Sequence, residues 1–369
     1  MTRGQGVGGS GRAGAAEGDL NQTLTMAQVA DELGLSRLTV SSVINGKAAA
    51  RGIPERTVRR VQEHLQRIGY VPSRSAVALR MGRPGGTGIL HSGNLFSHLT
   101  EAFNRLTNAY TASADGLEIM VGRRGELERS LRELLARGVR KLVWIHALPP
   151  EAEFAEWDRI AALLAKMRVV VYNYNFDLGE MDGRIRDFGI GLVGVSRKRG
   201  YEKLAAFVRR LGHRRVFLPD VCRTGQSGCS RQFAAAFAAQ GVTPVYAASR
   251  KEEKIADLIE RGTRLAPQIL AARKNDGVTA ACFRDDEVAG AAMAELLRRG
   301  VRIPDDLTVT GMDGHPLAAI FRVPLTTMAM PVAAMVGKTM QLLDGDGPLE
   351  TPCCCDWELV ARGSHARAG

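Results

Sequence analysis

The sequence predicts an α/β chain: a small all-α helix-turn-helix headpiece, then two lobes built as doubly wound parallel sheets. Three observations carry that prediction. Two short apolar-striped segments flank Gly34 within residues 24–45. A stretch rich in Gly, Pro and Arg follows at residues 69–86. From Thr87 onward, short apolar runs alternate with amphipathic helical patterns, the signature of parallel sheets covered on both faces. A length of 369 residues accommodates two or three such packed units. Hydrophobic content of 45% is ordinary for globular domains, and no apolar run approaches the length of a membrane span. Residues 1–22 are rich in Gly and small residues and lack the apolar stretch of a signal peptide. They are expected to be a disordered tail on a cytoplasmic protein.

The headpiece is expected over residues 23–71. Thr25 is placed to cap a helix whose apolar positions are Met26, Val29, Ala30 and Leu33. Gly34 permits a left-handed turn, and Ser36 caps a second helix running to about Ile44. In that helix Leu35, Val40, Val43 and Ile44 face a core, which leaves Arg37, Leu38, Ser41 and Ser42 on the other side. Pro54 sits at a first helical position and opens a third helix, Glu55 to Ile68, with Val58, Val61, Leu65 and Ile68 as its stripe. Two short helices around a Gly-containing turn can place the second in a DNA major groove. The charge agrees: residues 1–83 carry 12 Lys/Arg against 6 Asp/Glu, while the remainder carries 38 against 33. A basic excess concentrated there suits a phosphate-facing surface.

Residues 24–82 resemble the DNA-binding headpiece of the LacI/GalR family of transcription regulators. The resemblance rests on Val29-Ala30, Gly34-Leu35-Ser36, Thr39-Val40-Ser41, Ile44-Asn45-Gly46, Thr57-Val58, Ile68-Gly69-Tyr70-Val71-Pro72 and Ala76–Leu79. It implies that Arg37 and Leu38 choose operator bases, and that Ser73–Arg80, within a hinge and linker at 72–86, is a hinge helix. Leu79 would be the wedge pushed between base pairs. The set expected at the DNA is Thr25, Ser36, Arg37, Leu38, Thr39, Ser41, Ser42, Asn45, Arg74 and Leu79. Chemistry supports the central members. Arg37 can donate twice to a guanine edge, worth about 1–3 kcal/mol of discrimination. Leu38 can touch a thymine methyl. A leucine in the minor groove unstacks a step at a cost of about a few kcal/mol, offset by added contacts. Ser42 stands where many family members carry Arg.

Residues 87–369 are expected to form a two-lobed, periplasmic-binding-protein-like effector and dimerisation domain. Strands are predicted at Thr87–His91, Leu117–Val121, Lys141–Ile145, Val169–Tyr172, Val216–Pro219, Val242–Tyr246, Thr279–Phe283 and Leu307–Thr310. Helices are predicted at Glu126–Arg137, Lys198–Leu211, Arg231–Gln240 and Glu287–Arg299. The lobes divide at about 87–187 and 188–322, with later segments crossing between them. Ligands in such folds sit beyond the strand C-termini. The family resemblance continues in Leu211-Gly212-His213-Arg214-Arg215-Val216, Cys282-Phe283-Arg284-Asp285 and Ile303-Pro304-Asp305-Asp306-Leu307-Thr308-Val309. Gly311-Met312-Asp313, Pro324-Leu325-Thr326-Thr327 and Arg362-Gly363-Ser364 extend it. By resemblance, Asp285 and Arg231 would bind the effector's polar groups, and Leu95 and Phe96 would cover its ring. Arg284 replaces the family's usual Asn, and Val195-Ser196 stands where an Asp-containing pair is common.

Two motifs favour an enzyme instead. Gly189-Ile190-Gly191-Leu192-Val193-Gly194 fits the dinucleotide pattern, with Asp220 downstream, but the next helix opens on Arg197-Lys198-Arg199. Gly337-Lys338-Thr339 lacks the upstream glycine of a P-loop, since position 332 is Val. The six cysteines (Cys222, Cys229, Cys282, Cys353, Cys354 and Cys355) form no paired CxxC, so no metal site is expected. Cys353–Cys355 is read as thiols in a C-terminal strand, with a redox or metal sensor as the alternative. The sequence thus points to a homodimeric regulator, not an enzyme, that reads a palindromic double-stranded DNA operator. It is expected to act as a repressor, to answer to a sugar or similar polar ring compound, and to need no cofactor. The alternative is a dinucleotide- or sugar-dependent enzyme carrying a DNA headpiece.

Overall fold

The computed structural model describes residues 26–44, 46–68, 86–92, 97–111, 116–122, 126–145, 157–177, 189–219, 228–247, 257–349 and 352–369. Thr25, Asn45, Arg74, Leu79, Leu95, Phe96 and Asp220, together with the Ser73–Arg80 segment, lie outside them. The chain divides into two compact units, Met1–Val77 and Ala78–Gly369.

The first unit contains α1 (Met26–Leu33), α2 (Arg37–Ile44) and α3 (Glu55–Arg67), with a 3₁₀ turn at Ala49–Arg51. Gly34 takes φ +61°, the left-handed turn that joins the first two helices. Val29, Ala30, Leu33, Val40, Val43, Ala48 and Val61 form the core, with Leu35, Ile44, Val58, Leu65 and Ile68 packed around it. A core this small is helped by polar ties that the apolar periodicity does not reveal. Arg60 donates to the Leu33 carbonyl at the end of α1 at 2.8 Å. His64, buried on α3, bridges Glu32 of α1 through Nε2 and accepts from Arg67 at Nδ1, both at 2.8 Å.

The second unit holds two six-stranded sheets. Its first half runs β1 (Thr87–Ser92), α4 (Ser97–Thr111), β2 (Leu117–Gly122), α5 (Leu127–Ala136), β3 (Lys141–Ile145), α6 (Trp157–Leu164), β4 (Arg168–Asn175) and β5 (Gly191–Val195). The chain then continues through α7 (Arg197–Arg210), β6 (Arg215–Leu218), α8 (Gly228–Ala239), β7 (Thr243–Tyr246), α9 (Leu258–Asp276), β8 (Ala280–Cys282), α10 (Asp286–Arg298), β9 (Thr308–Asp313) and β10 (Thr326–Ala329). It ends with α11 (Val332–Asp344), β11 (Cys353–Cys355) and β12 (Glu358–Val360). The first sheet has the order β11-β5-β4-β3-β1-β2, and the second β12-β10-β9-β8-β6-β7. Every pairing is parallel except β10 with β12.

The first lobe extends further than 187. Strand β5 pairs with β4, so the chain stays in the first sheet until Val195. Its two glycines disguise a strand as a loop: all five residues are buried, and a Cβ on Gly191 would crowd Val170 and Leu349. Among the described residues three connections join the lobes, at Val195–Arg197, Ala329–Val332 and Cys355–Glu358. Helix α11, although it follows a second-sheet strand, returns to pack on β4 and β5 of the first. Cys353 and Cys355 lie half-buried in the edge strand β11 and Cys354 is exposed, with burial pushing the Cys355 thiol up.

Residues beyond β12 staple the second lobe. The buried Ser364 hydroxyl accepts from the Thr326 amide at 2.8 Å and donates to the Val309 carbonyl at 2.6 Å. His213, whose imidazole is shifted down by burial, bonds Thr279 and the Ala366 carbonyl, so it is a tail anchor. Ser364→Ala should leave a buried amide and carbonyl without partners, at a cost of about 1–3 kcal/mol. A lowered urea midpoint with an unchanged slope is the expected result, and an unchanged midpoint would contradict the staple.

Candidate nucleic-acid interface and ligand site

On the first unit, the candidate surface is the N-terminal part of α2. The Ser36 hydroxyl accepts from the Thr39 amide at 3.0 Å and shares a hydrogen bond with the Thr39 hydroxyl at 2.8 Å. This is side-chain capping of the helix start. Arg37 is exposed beside it, and Leu38 is 62% exposed, an unusual cost for a leucine in a three-helix core. Ser41 is half-buried. Ser42 departs from expectation: it is 4% exposed and donates to the Leu38 carbonyl at 2.7 Å. Its hydroxyl is satisfied inside the helix, so Ser42 faces the core and not the outer side. Arg56 and Arg59 add exposed positive charge on α3.

On the second unit, parallel pairing carries the C-terminal ends of the strands to one edge of each sheet. In the first sheet, His91 lies one residue before the end of β1 and Asn173 lies in β4, where the register with β5 slips. Asn173 takes φ +67°, and among the described residues its buried Oδ1 has no hydrogen-bond partner, nor has the buried His91 Nδ1. In the second sheet, Asp313 ends β9 with φ +94°. These are the two non-glycine residues in the left-handed region among the described residues, one per lobe. Such backbone gathers at functional sites.

Asp313 is half-buried; desolvation raises its carboxyl to about 6, while Arg197, Arg284 and His315 pull it back down. Arg197 opens α7, and Arg284 lies between β8 and α10. Asp285, the residue singled out from sequence, caps α10: its Oδ1 accepts from the Glu287 and Val288 amides at 2.8 and 3.0 Å. Arg231 is exposed on α8, next to Gln232, whose Oε1 is buried and unsatisfied. Sequence reasoning therefore missed His91, Asn173, Arg197, Gln232 and Asp313. Only Asp313 had a signal, since Gly311-Met312-Asp313 is one of the stretches that carry the family resemblance.

Behind this edge lies Asp286, almost fully buried. It accepts from the Thr327 hydroxyl and the His315 amide, each at 2.7 Å. Gly311 makes room for it, because a Cβ there would overlap Asp286 Oδ1. Burial pushes its carboxyl up to about 8 despite those hydrogen bonds. His315 also bonds Glu287 at 3.2 Å and accepts from the Leu317 amide at 3.0 Å.

Neither enzyme motif has the placement its chemistry needs. Gly191–Val195 is a buried strand, not a loop entering a helix. Gly337-Lys338-Thr339 lies inside α11.

Residues 205–364 match the periplasmic binding protein-like domain family. The HTH-type transcriptional repressor PurR of Aliivibrio fischeri is 26% identical over 326 residues, spanning 85% of this chain and 89% of that protein. Among solved structures, a LacI-family transcriptional regulator from Silicibacter pomeroyi superposes with a TM-score of 0.67 at 19% identity, over 93% of this chain and all of the other. The lac repressor dimer bound to operator and the anti-inducer ONPF gives 0.63 at 18%, over 94% and 100%.

The buried carboxyls predict an unusual pH profile. Unfolding returns Asp286 from about 8 to its ordinary 3.8, so the folded chain holds a proton that the unfolded chain releases between those values. Stability should fall as pH rises from 4 towards 8 and then level off, with Asp313 contributing the part below about 6. Asp286→Asn removes the titrating group: its carbonyl can accept from the His315 amide, while its NH2 donates to the Thr327 hydroxyl oxygen in place of the bond accepted now. It should flatten the fall between pH 6 and 8 in urea titrations, and an unchanged slope would rule out Asp286 as its source.

Proposed function

We propose that the chain is a regulator of the LacI/GalR family, a sequence-specific DNA-binding protein whose DNA affinity is set by a small polar effector. The observation that carries the DNA reading is α2 itself. It buries Val40 and Val43 and presents Arg37 and Leu38 to solvent just after a serine-capped start. In this reading Arg37 and Leu38 select bases in a major groove, while Ser36, Thr39 and Ser41 fix the helix against the backbone. Thr25, Asn45 and Arg74 add backbone contacts, and Leu79 is the minor-groove wedge. Two copies of the chain bind together, one half-site each, so the operator is palindromic.

The effector sits at the strand ends of the two lobes and is a sugar or similar hydroxylated ring. The buried, unpaired Asn173 Oδ1 and His91 Nδ1 supply hydrogen-bonding sites on one side, and Asp313 and Asp285 supply carboxylates on the other. Binding changes the lobe angle and hence the spacing of the paired hinges. Repression is the outcome favoured by the named relatives.

In vitro selection from random duplex DNA tests this directly. The full-length protein should enrich a palindromic site, with affinity falling steeply with salt. Arg37→Ala should relax preference at one symmetric pair of positions, losing about 1–3 kcal/mol of discrimination. An identical selected motif for the variant would remove Arg37 from base reading, and no enrichment by the wild type at low salt would remove the regulator reading.

A further inference from the structure

The first connection between the lobes holds a carboxylate in an unexpected place. Helix α7 of the second lobe begins at Arg197, and Ser196 caps it by accepting from the Arg199 amide at 3.1 Å. A serine cap leaves further amides of the first turn without acceptors. Asp177, just after β4 of the first lobe, supplies one. Its Oδ2 accepts from the Lys198 amide at 2.7 Å, and its Oδ1 accepts from the Ser196 hydroxyl at 2.6 Å. The loop that carries Asp177 is itself fixed: the Phe176 amide donates to the Val195 carbonyl, and the Asp177 amide to Asn175 Oδ1.

The third connection converges on the same residue. The Trp357 indole donates to the Ser196 carbonyl at 2.9 Å, and its ring lies so close to Gly200 that a Cβ there would come within 2.9 Å of it. Lys203 of α7 donates to the Trp357 carbonyl and pairs with Asp356. Ser196 is thus the node where two of the three lobe connections meet. The capping carboxylate comes from across the joint, so α7 cannot turn away from the first lobe without uncapping itself.

We propose that Asp177 is a positioning residue that fixes the angle between the lobes by lending its carboxylate to the start of α7, and through that angle sets operator affinity. The effect on operator affinity rests on the regulator reading above; the tie itself does not. A carboxylate at a helix start stabilises by hydrogen bonding and by the helix dipole. Here that stabilisation is available only in one relative placement of the lobes, which makes it a coupling term and not merely a cap.

Moving the carboxylate separates the two roles. The paired exchange Asp177→Ala with Ser196→Asp puts the acid at the cap position of α7 itself and removes the tie, since an alanine side chain in place of Asp177 can neither donate nor accept across the joint. Full-length wild type, Asp177→Ala and the exchanged pair would be compared by thermal melting, by hydrogen exchange, and by anisotropy titration with the operator that the wild type selects. Asp177→Ala should lower the melting temperature and weaken operator binding by about fivefold or more. The exchanged pair should regain the melting temperature and the protection of residues 196–200. Its operator binding should stay weak, and residues 168–177 should exchange faster than in wild type. Restoration of operator binding together with stability would reduce Asp177 to a cap and overturn the proposal. So would wild-type affinity in Asp177→Ala, or unchanged exchange at 168–177 in the exchanged pair. Failure of the wild type to select any operator would instead sink the regulator reading, leaving the exchange measurement to decide the tie.

Discussion

Parallel pairing of strands is the constraint on which the second unit depends. A parallel sheet needs a crossover after every strand, and those crossovers cover both faces, so the strands themselves can be wholly apolar, as β3 and β5 nearly are. Polar groups are thereby excluded from the sheets' interior and driven to the strand ends. That is where Asn173, Asp313, Arg284 and Asp285 stand, and where the backbone departs from ordinary φ values. The same rule places the N-termini of α7 and α10 beside those ends, each with a carboxylate on it. The ligand edge is the residue of a packing rule, sharpened by particular side chains.

Behind that edge the chain tolerates a buried acid because geometry removes the alternatives. Asp286 has a hydroxyl from β10, an amide from the β9 loop, and a glycine on β9 that leaves it room. It therefore ties the start of α10 to both neighbouring strands while remaining largely protonated near neutrality. His315, reached by the same network, joins Glu287 on α10 to the turn at Pro316–Ala319. An effector touching Asp285 or Asp313 would act on groups whose neighbours are shared among three elements.

What the sequence revealed and what it hid follow from the range of each interaction. The eight strands predicted between Thr87 and Thr310 all occur, because a buried parallel strand is a local apolar run. Strand β5 escaped because its opening glycine, Gly191, is selected by crowding from Val170 of β4 and from Leu342 and Leu349, a non-local cause. The outer face of α2 was readable except at Ser42, where a serine's ability to bond its own helix backbone defeats the polar-means-outside rule. Asp285 was singled out by resemblance as an effector ligand, and its Oδ1 is found capping the start of α10. Asn173 becomes conspicuous only through burial and φ, neither of which a single sequence displays. The missing acid at Val195-Ser196 looked like a defect; the structure supplies it from Asp177, 19 residues upstream.

The order of strands in the two sheets also has a consequence for synthesis. The core of the first unit is complete by Ile68, so it can close while the rest of the chain is still being made. Neither lobe has that freedom. The first sheet lacks its edge strand until Cys353–Cys355 arrives, and the second lacks β12 and the Ser364 staple until still later. A nascent chain therefore carries an open sheet border along β5 from residue 195 until β11 arrives at 353, and a second along β10 from residue 329 until β12 arrives at 358. Such borders invite mispairing. Premature termination near residue 350 would leave a competent headpiece fused to two unfinished lobes.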